Sequence, residues 1–189
     1  MGKNYGWPHV AGYKDNMAYS YCIWADMENC QSVEYDETDS CPEGAPTFTE
    51  DSWDHPDFMA PISTFESTVG NDFNFDCGNG FYCFPTIAPS SIQVYDDDGI
   101  PEWGNSLLST GLKSGRIFRT MLTADGQSVT GAMQELFAVG NRYRGLTVSS
   151  DGKAIYVITD GGGPTSGPNN EGLTNLNNPG TILKFEYID

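Results

Sequence analysis

Two arginines, Arg142 and Arg144, stand two residues apart, and with Lys113 they belong to a stretch in which five bases fall between positions 113 and 144. On a strand, residues i and i+2 share one face, so this pair can meet a single ligand. Guanidinium groups offer planar bidentate donors and an ammonium offers a point charge, which together suit an anion carrying several carboxylates. The same Arg-x-Arg spacing also fits a solvated strand face. Carboxylates supply a second possible chemistry. Residues 1–103 carry 19 of the 26 acidic side chains and two bases, Lys3 and Lys14, whereas residues 104–189 hold seven of each. An acidic segment of this kind either keeps a surface hydrated or lends oxygen ligands to a hard cation such as Ca²⁺. Zinc fits poorly, because the chain has two histidines, His9 and His55, and none of its five cysteines forms a C-x-x-C pair. Cys77 and Cys83 enclose a short glycine-containing loop that could close a disulfide, and Cys30 and Cys41 could close another, leaving Cys22. Five reduced thiols are the alternative. Bridged cysteines imply an oxidising compartment, periplasmic or extracellular.

The elements that must position these groups are strands. The chain has 189 residues with a formal charge of −17, and 38% of it is hydrophobic, enough to build a core. Its length fits one domain or a part of one. The acidic balance argues against nucleic acid as a partner. No apolar run reaches the roughly 20 residues a membrane-spanning helix needs. The first six residues lack an apolar stretch, so an exported protein would carry its signal peptide upstream of this segment. Helical periodicity is absent, and the second half reads as antiparallel β. Ile117–Leu122 is a strand followed by an Asp125-Gly126 turn, and Glu135–Val139 is a strand ended by Gly140-Asn141. Leu146–Val148 and Ala154–Ile158 flank a hairpin turn at Ser150–Lys153, and Thr181–Tyr187 forms a last strand. Gly115-x-Ile117-x-Arg119 recurs as Gly180-x-Ile182-x-Lys184 at an interval of 65 residues, a spacing that suits propeller blades with insertions. Residues 25–60 are acidic and proline-bearing and read as a long loop or insertion.

Longer motifs run in order along the chain. They are Asn4-Tyr5-Gly6-Trp7-Pro8-His9-Val10-Ala11-Gly12-Tyr13-Lys14-Asp15, Cys83-Phe84-Pro85-Thr86-Ile87-Ala88-Pro89-Ser90-Ser91, Leu112–Arg119, Asn141-Arg142-Tyr143-Arg144 and Asn178–Phe185. Together they resemble soluble glucose dehydrogenases dependent on pyrroloquinoline quinone (PQQ), of the glucose/sorbosone dehydrogenase family. The resemblance implies an all-β fold in which residues 1–189 form the C-terminal blades of a single six-bladed β-propeller domain, with an acidic, loop-rich insertion in the first half.

It also implies roles residue by residue. Lys113, Arg142 and Arg144 match positions that hold the carboxylates of PQQ, with Thr86 as a hydroxyl donor. The carbonyls of Ala11 and Tyr13 and the carboxylates of Asp15 and Glu50 match a structural Ca²⁺ site. Cys77 and Cys83 match a bridged pair, although their loop is one residue short of the pattern and carries Phe81 and Phe84 in place of a tyrosine and a tryptophan. Trp7 and Trp103 match aromatic positions and read as core residues, while His9 and His55 read as surface residues. No residue of this chain matches the family's general-base histidine, which is expected upstream. The implied activity is oxidation of an aldose sugar at C1 to the lactone, with hydride transfer to PQQ, an electron acceptor outside the chain and a homodimer as the assembly. A non-catalytic propeller that binds sugar or calcium is the alternative.

Overall fold

The structure, a computed structural model, describes residues 2–17, 21–23, 25, 27–28, 44–65, 86–162 and 176–188. Among them there is no α-helix, and every sheet is antiparallel, in line with the all-β expectation. The chain divides into two compact units, Met1–Gly80 and Phe81–Asp189.

In the second unit, Ser-, Thr- and β-branched-rich segments form seven strands. Strands β3 (Pro89–Tyr95), β4 (Ser106–Gly111), β5 (Ile117–Leu122) and β6 (Val129–Leu136) make a four-stranded meander in that order. Strands β7 (Tyr143–Val148), β8 (Ala154–Thr159) and β9 (Ile182–Glu186) make a three-stranded sheet. The predicted strand at 117–122 and the hairpin around Ser150–Lys153 are found as expected. In that hairpin Gly152 N–H donates to the Ser149 carbonyl, and the Asp151 carboxylate accepts from the Ser149 hydroxyl and the Lys153 amide.

The strand expected at Glu135–Val139 instead ends at Leu136 and begins at Val129. Phe137 turns into a left-handed conformation at φ 54°, which β pairing does not tolerate. Gly131, at φ 68°, accommodates the register shift opposite Arg119 and Met121. Strands β3 and β4 carry too many serines and threonines to show an apolar alternation, and no strand was predicted there.

The two sheets meet where β3 packs against β7. Their shared core is Tyr95, Ile100, Leu108, Ile117, Tyr143, Ile155 and Val157. Each of these apolar side chains contributes about 1.5–3 kcal/mol when fully buried. Two hydroxyls join the sheets. Ser90 donates to the Tyr143 carbonyl at 2.6 Å and meets the Thr110 hydroxyl at 2.9 Å. The Tyr95 hydroxyl donates to the Gly152 carbonyl and accepts from Ile100 N–H, both at 2.7 Å. That contact draws the backbones together so closely that a Cβ on Gly99 would lie 2.3 Å from the Gly152 carbonyl carbon. Gly99→Ala is therefore expected to destabilise the protein by about 1–3 kcal/mol, the usual cost of overpacking. Chemical denaturation checks it, and an unchanged midpoint would contradict the contact.

In the first unit, β1 (Tyr21–Cys22) and β2 (Thr47–Phe48) form a two-residue ladder, and a single turn of 3₁₀ helix spans Glu50–Ser52. Asn4 and Phe58 make an isolated parallel bridge. The Trp53 ring stacks between His9 and His55, at 5.3 and 5.7 Å, and meets Phe58 edge-on. The two histidines are thus packing partners, half-buried rather than loose on the surface. Trp7, expected in the core, is 72% exposed. Beside it, Gly6 at φ 91° lies so close to the buried Val10 that a Cβ there would be 2.7 Å from the valine.

Candidate functional site

The Glu50 carboxylate organises the first unit. It is buried, and one oxygen accepts from Ala11 N–H at 2.8 Å while the other accepts from Asn16 N–H at 2.9 Å. The carboxylate therefore spans the Ala11–Asn16 turn from end to end. Asn16 sits at φ 59° and returns the contact through its side-chain oxygen, which accepts from Asp51 N–H. Asp15 is exposed, and its carboxylate accepts from Met17 N–H at 3.0 Å. Ala11 is half-buried and Tyr13 exposed.

Burying a carboxylate is costly unless its charge is compensated. Two amide donors compensate Glu50 in part, and no cationic side chain among the described residues pairs with it. Each of its oxygens keeps a further lone pair. A hard cation accepts such a mixture of carboxylate and carbonyl oxygens, so the donor set fits Ca²⁺. No cluster of three or more His, Cys, Asp or Glu side chains occurs among the described residues. The expected set of two carboxylates and two carbonyls needs no such cluster.

The cationic residues lie in the second unit. Lys113 occupies the turn between β4 and β5, whose amides lean on the segment before β3: Lys113 N–H donates to the Ile87 carbonyl, as does Ser114 N–H. Thr86, exposed, precedes Ile87, and its side-chain oxygen accepts from Ala88 N–H at 3.0 Å. Thr86 and Lys113 thus flank one carbonyl. Lys113 is buried, and this desolvation pulls its ammonium below the usual lysine range.

Arg142 and Arg144 bracket Tyr143, whose carbonyl the Ser90 hydroxyl binds from β3. Arg142 is buried, whereas the Arg144 side chain is 55% exposed. Both reach one carboxylate that the sequence reading did not single out. Asp160 accepts from Arg144 Nε at 2.8 Å and Nη2 at 2.6 Å, a bidentate pair, and lies 3.5 Å from Arg142 Nε. The Arg144 hydrogen bond holds the Asp160 carboxyl below the usual carboxylate range, and Asp160 in turn raises Arg144. Antiparallel pairing of Tyr143 with Thr159 puts Asp160 beside the arginines. The only sequence sign of it was an acid just beyond a predicted strand, in a Thr-Asp-Gly context that reads as an ordinary turn.

These donors suit a planar polycarboxylate: a desolvated ammonium, a buried guanidinium and an exposed guanidinium fixed in orientation. Arg119 is also buried but plays another part. Its guanidinium binds the Ser106 hydroxyl, the Gln134 side chain and the Glu102 carbonyl and lies over Trp103, so it braces the β3–β4 connection. Cys77 and Cys83 lie outside the described residues. No described helix is long and apolar enough to cross a membrane.

Residues 76–166 match the family model for glucose/sorbosone dehydrogenases. The chain is 36% identical over 193 residues to quinoprotein glucose dehydrogenase B of Acinetobacter calcoaceticus, an alignment covering 98% of this chain and 40% of that protein. An uncharacterized protein of Synechocystis is 32% identical over 76 residues, covering 40% of this chain and 18% of its own length. Two solved glucose dehydrogenase structures share 29% and 22% identity over 40% and 56% of this chain, with TM-scores of 0.36 and 0.41, and are covered over 22% and 25% of their own lengths. The chain therefore spans about two fifths of the quinoprotein it aligns with. By the family match over residues 76–166 and that nearly chain-long alignment, the chain is similar to the glucose/sorbosone dehydrogenases.

Proposed function

We propose that the protein bearing this chain is a PQQ-dependent sugar dehydrogenase that oxidises an aldose at C1 to the lactone. In this reading residues 1–189 belong to one six-bladed propeller domain, working in the periplasm or outside the cell, with homodimerisation as the proposed assembly. The observation that carries the reading is the convergence of Arg142 and Arg144 on one carboxylate, within a sequence similar to this family.

Lys113, Arg142 and Arg144 would hold the carboxylates of PQQ, and Thr86 would add a hydroxyl. Bound PQQ supplies the hydride acceptor. The chain's own side chains contribute binding, orientation and positive charge, the last of which favours the electron-rich reduced cofactor. Ala11, Tyr13, Asp15 and Glu50 would hold a structural Ca²⁺ that stiffens the first unit. Cys77 and Cys83 are proposed as a disulfide. Neither His9 nor His55, both stacked on Trp53, matches the family's general-base histidine.

Titrating the chain with PQQ in Ca²⁺ buffer, followed by quenching of intrinsic fluorescence, tests the reading. Saturable binding at one equivalent is expected, weakened by salt because charged contacts carry it. Absence of saturable binding would overturn the assignment of the cationic residues. Supplying glucose and a dye acceptor to the loaded chain is expected to give no sustained turnover, because neither of its histidines matches the family's general base.

A further inference from the structure

We propose that Asp160 is a positioning residue that fixes which edge of Arg144 meets an anionic ligand, making this guanidinium an end-on clamp for a second carboxylate. The inference rests on the cofactor-pocket reading above. A guanidinium carries five N–H donors and can bind a carboxylate either side-on, through Nε and one Nη, or end-on, through both Nη atoms. Asp160 takes the side-on edge with both of its oxygens, at 2.8 and 2.6 Å. Two N–H groups on Nη1 and one on Nη2 remain, and nothing else among the described residues bonds to them. They form the end-on fork, on a side chain that is 55% exposed.

Asp160 can set this orientation because its own backbone is tied down. Its N–H donates to the Arg142 carbonyl at 2.9 Å, and its carbonyl accepts from Gly180 N–H at 3.2 Å. Its side chain is largely buried and also faces the buried Arg142, which closes the other flank. A free arginine side chain has many rotamers to lose on binding. With one edge already bound, that ordering is done before the ligand arrives, and the remaining fork is presented in a defined plane. A rigid, planar polycarboxylate fits such a fork better than a flexible one, since its carboxylate must lie in the plane shared by the guanidinium and Asp160. Asp160 also separates two like charges that would otherwise repel. The residue thus removes one positive charge from the pocket and still strengthens binding, because orientation outweighs the lost attraction.

A double-mutant cycle on PQQ affinity tests this, using the 189-residue chain with Asp160→Asn, Arg144→Gln and both together. Asp160→Asn is expected to weaken binding about tenfold, and the double variant is expected to bind no more weakly than Arg144→Gln alone, as required of a residue acting through another. A role confined to general folding would persist in the Arg144→Gln background. The proposal is overturned if Asp160→Asn binds as tightly as the wild type or more tightly, or if its loss adds in full to that of Arg144→Gln. Should Asp160→Asn fail to fold, Asp160→Glu carries the test: moving the carboxylate by one methylene is expected to cost about threefold, again only when Arg144 is present, and unchanged affinity overturns the proposal. If the wild-type chain does not bind PQQ, the cofactor reading has failed and this inference falls with it. If the wild type binds and Asp160→Asn is equivalent to it, the inference alone has failed.

Discussion

Lys113→Met is expected to weaken PQQ binding by about tenfold to a hundredfold while leaving the melting temperature of the unliganded chain unchanged or higher. The first effect is the loss of one charge-assisted contact, about 1.5–3 kcal/mol. The second follows from burial. Lys113 is 9% exposed, and desolvation alone is the cause that lowers its ammonium below the ordinary lysine range. A cation whose folded pKa is depressed costs the fold stability wherever both states are protonated. That penalty is present in full below the folded pKa and is relieved as pH rises toward the value of an unfolded lysine. Methionine, of similar length and without charge, removes that penalty at any pH where the folded lysine is charged. Calorimetry of the free protein and a PQQ titration measure the two halves separately. A melting temperature several degrees lower, with affinity retained, would instead make Lys113 a structural residue.

Glu50→Ala is expected to destabilise the first unit by several kcal/mol, since it strands the Ala11 and Asn16 amides, each costing about 1–3 kcal/mol if left unsatisfied. Glu50→Gln keeps one of the two acceptor oxygens and loses the charge, so it strands a single amide while abolishing the ionic contribution. In the wild type, Ca²⁺ at 100 times its dissociation constant should add about 2.7 kcal/mol, which a chelator removes. Glu50→Gln should melt at the same temperature with Ca²⁺ and with chelator. Hydrogen exchange at residues 2–17 localises the change. Wild-type melting indifferent to both Ca²⁺ and chelator would leave Glu50 as a backbone staple and nothing more.

What the sequence made legible follows from which forces are local. Ile117–Leu122 and the hairpin at Ser150–Lys153 are written in β-branched residues and turn chemistry, and the structure has both. Strands β3 and β4 were hidden because Ser90, Ser106, Ser109 and Thr110 look like loop residues until their hydroxyls find partners or a neighbouring sheet covers them. Phe137 looked like a strand residue but takes a left-handed turn, with its carbonyl accepting from the Tyr143 hydroxyl at 2.6 Å. Arg142, Arg144 and Lys113 could be nominated from their motifs. Asp160, which decides what Arg144 can offer, could not, since strand pairing rather than sequence proximity brings it there. The stack around Trp53 was likewise invisible, because its two histidines are 46 positions apart in the chain.

The two hydroxyls that join β3 to the second sheet bear on how this part of the molecule comes apart. Ser90 and Tyr95 lie at opposite ends of β3, and each grips the β7–β8 hairpin, one at the Tyr143 carbonyl and the other at the Gly152 carbonyl. Fastened at both ends, β3 cannot peel away with its own sheet without stranding buried polar groups of the other. The four-stranded meander and the three-stranded sheet should therefore open as a single cooperative unit, with amides of β4 and β8 exchanging at a common rate. The two sheets would then share one melting event, and damage to either would be felt at Arg142 and Arg144, which flank the Tyr143 carbonyl that Ser90 holds.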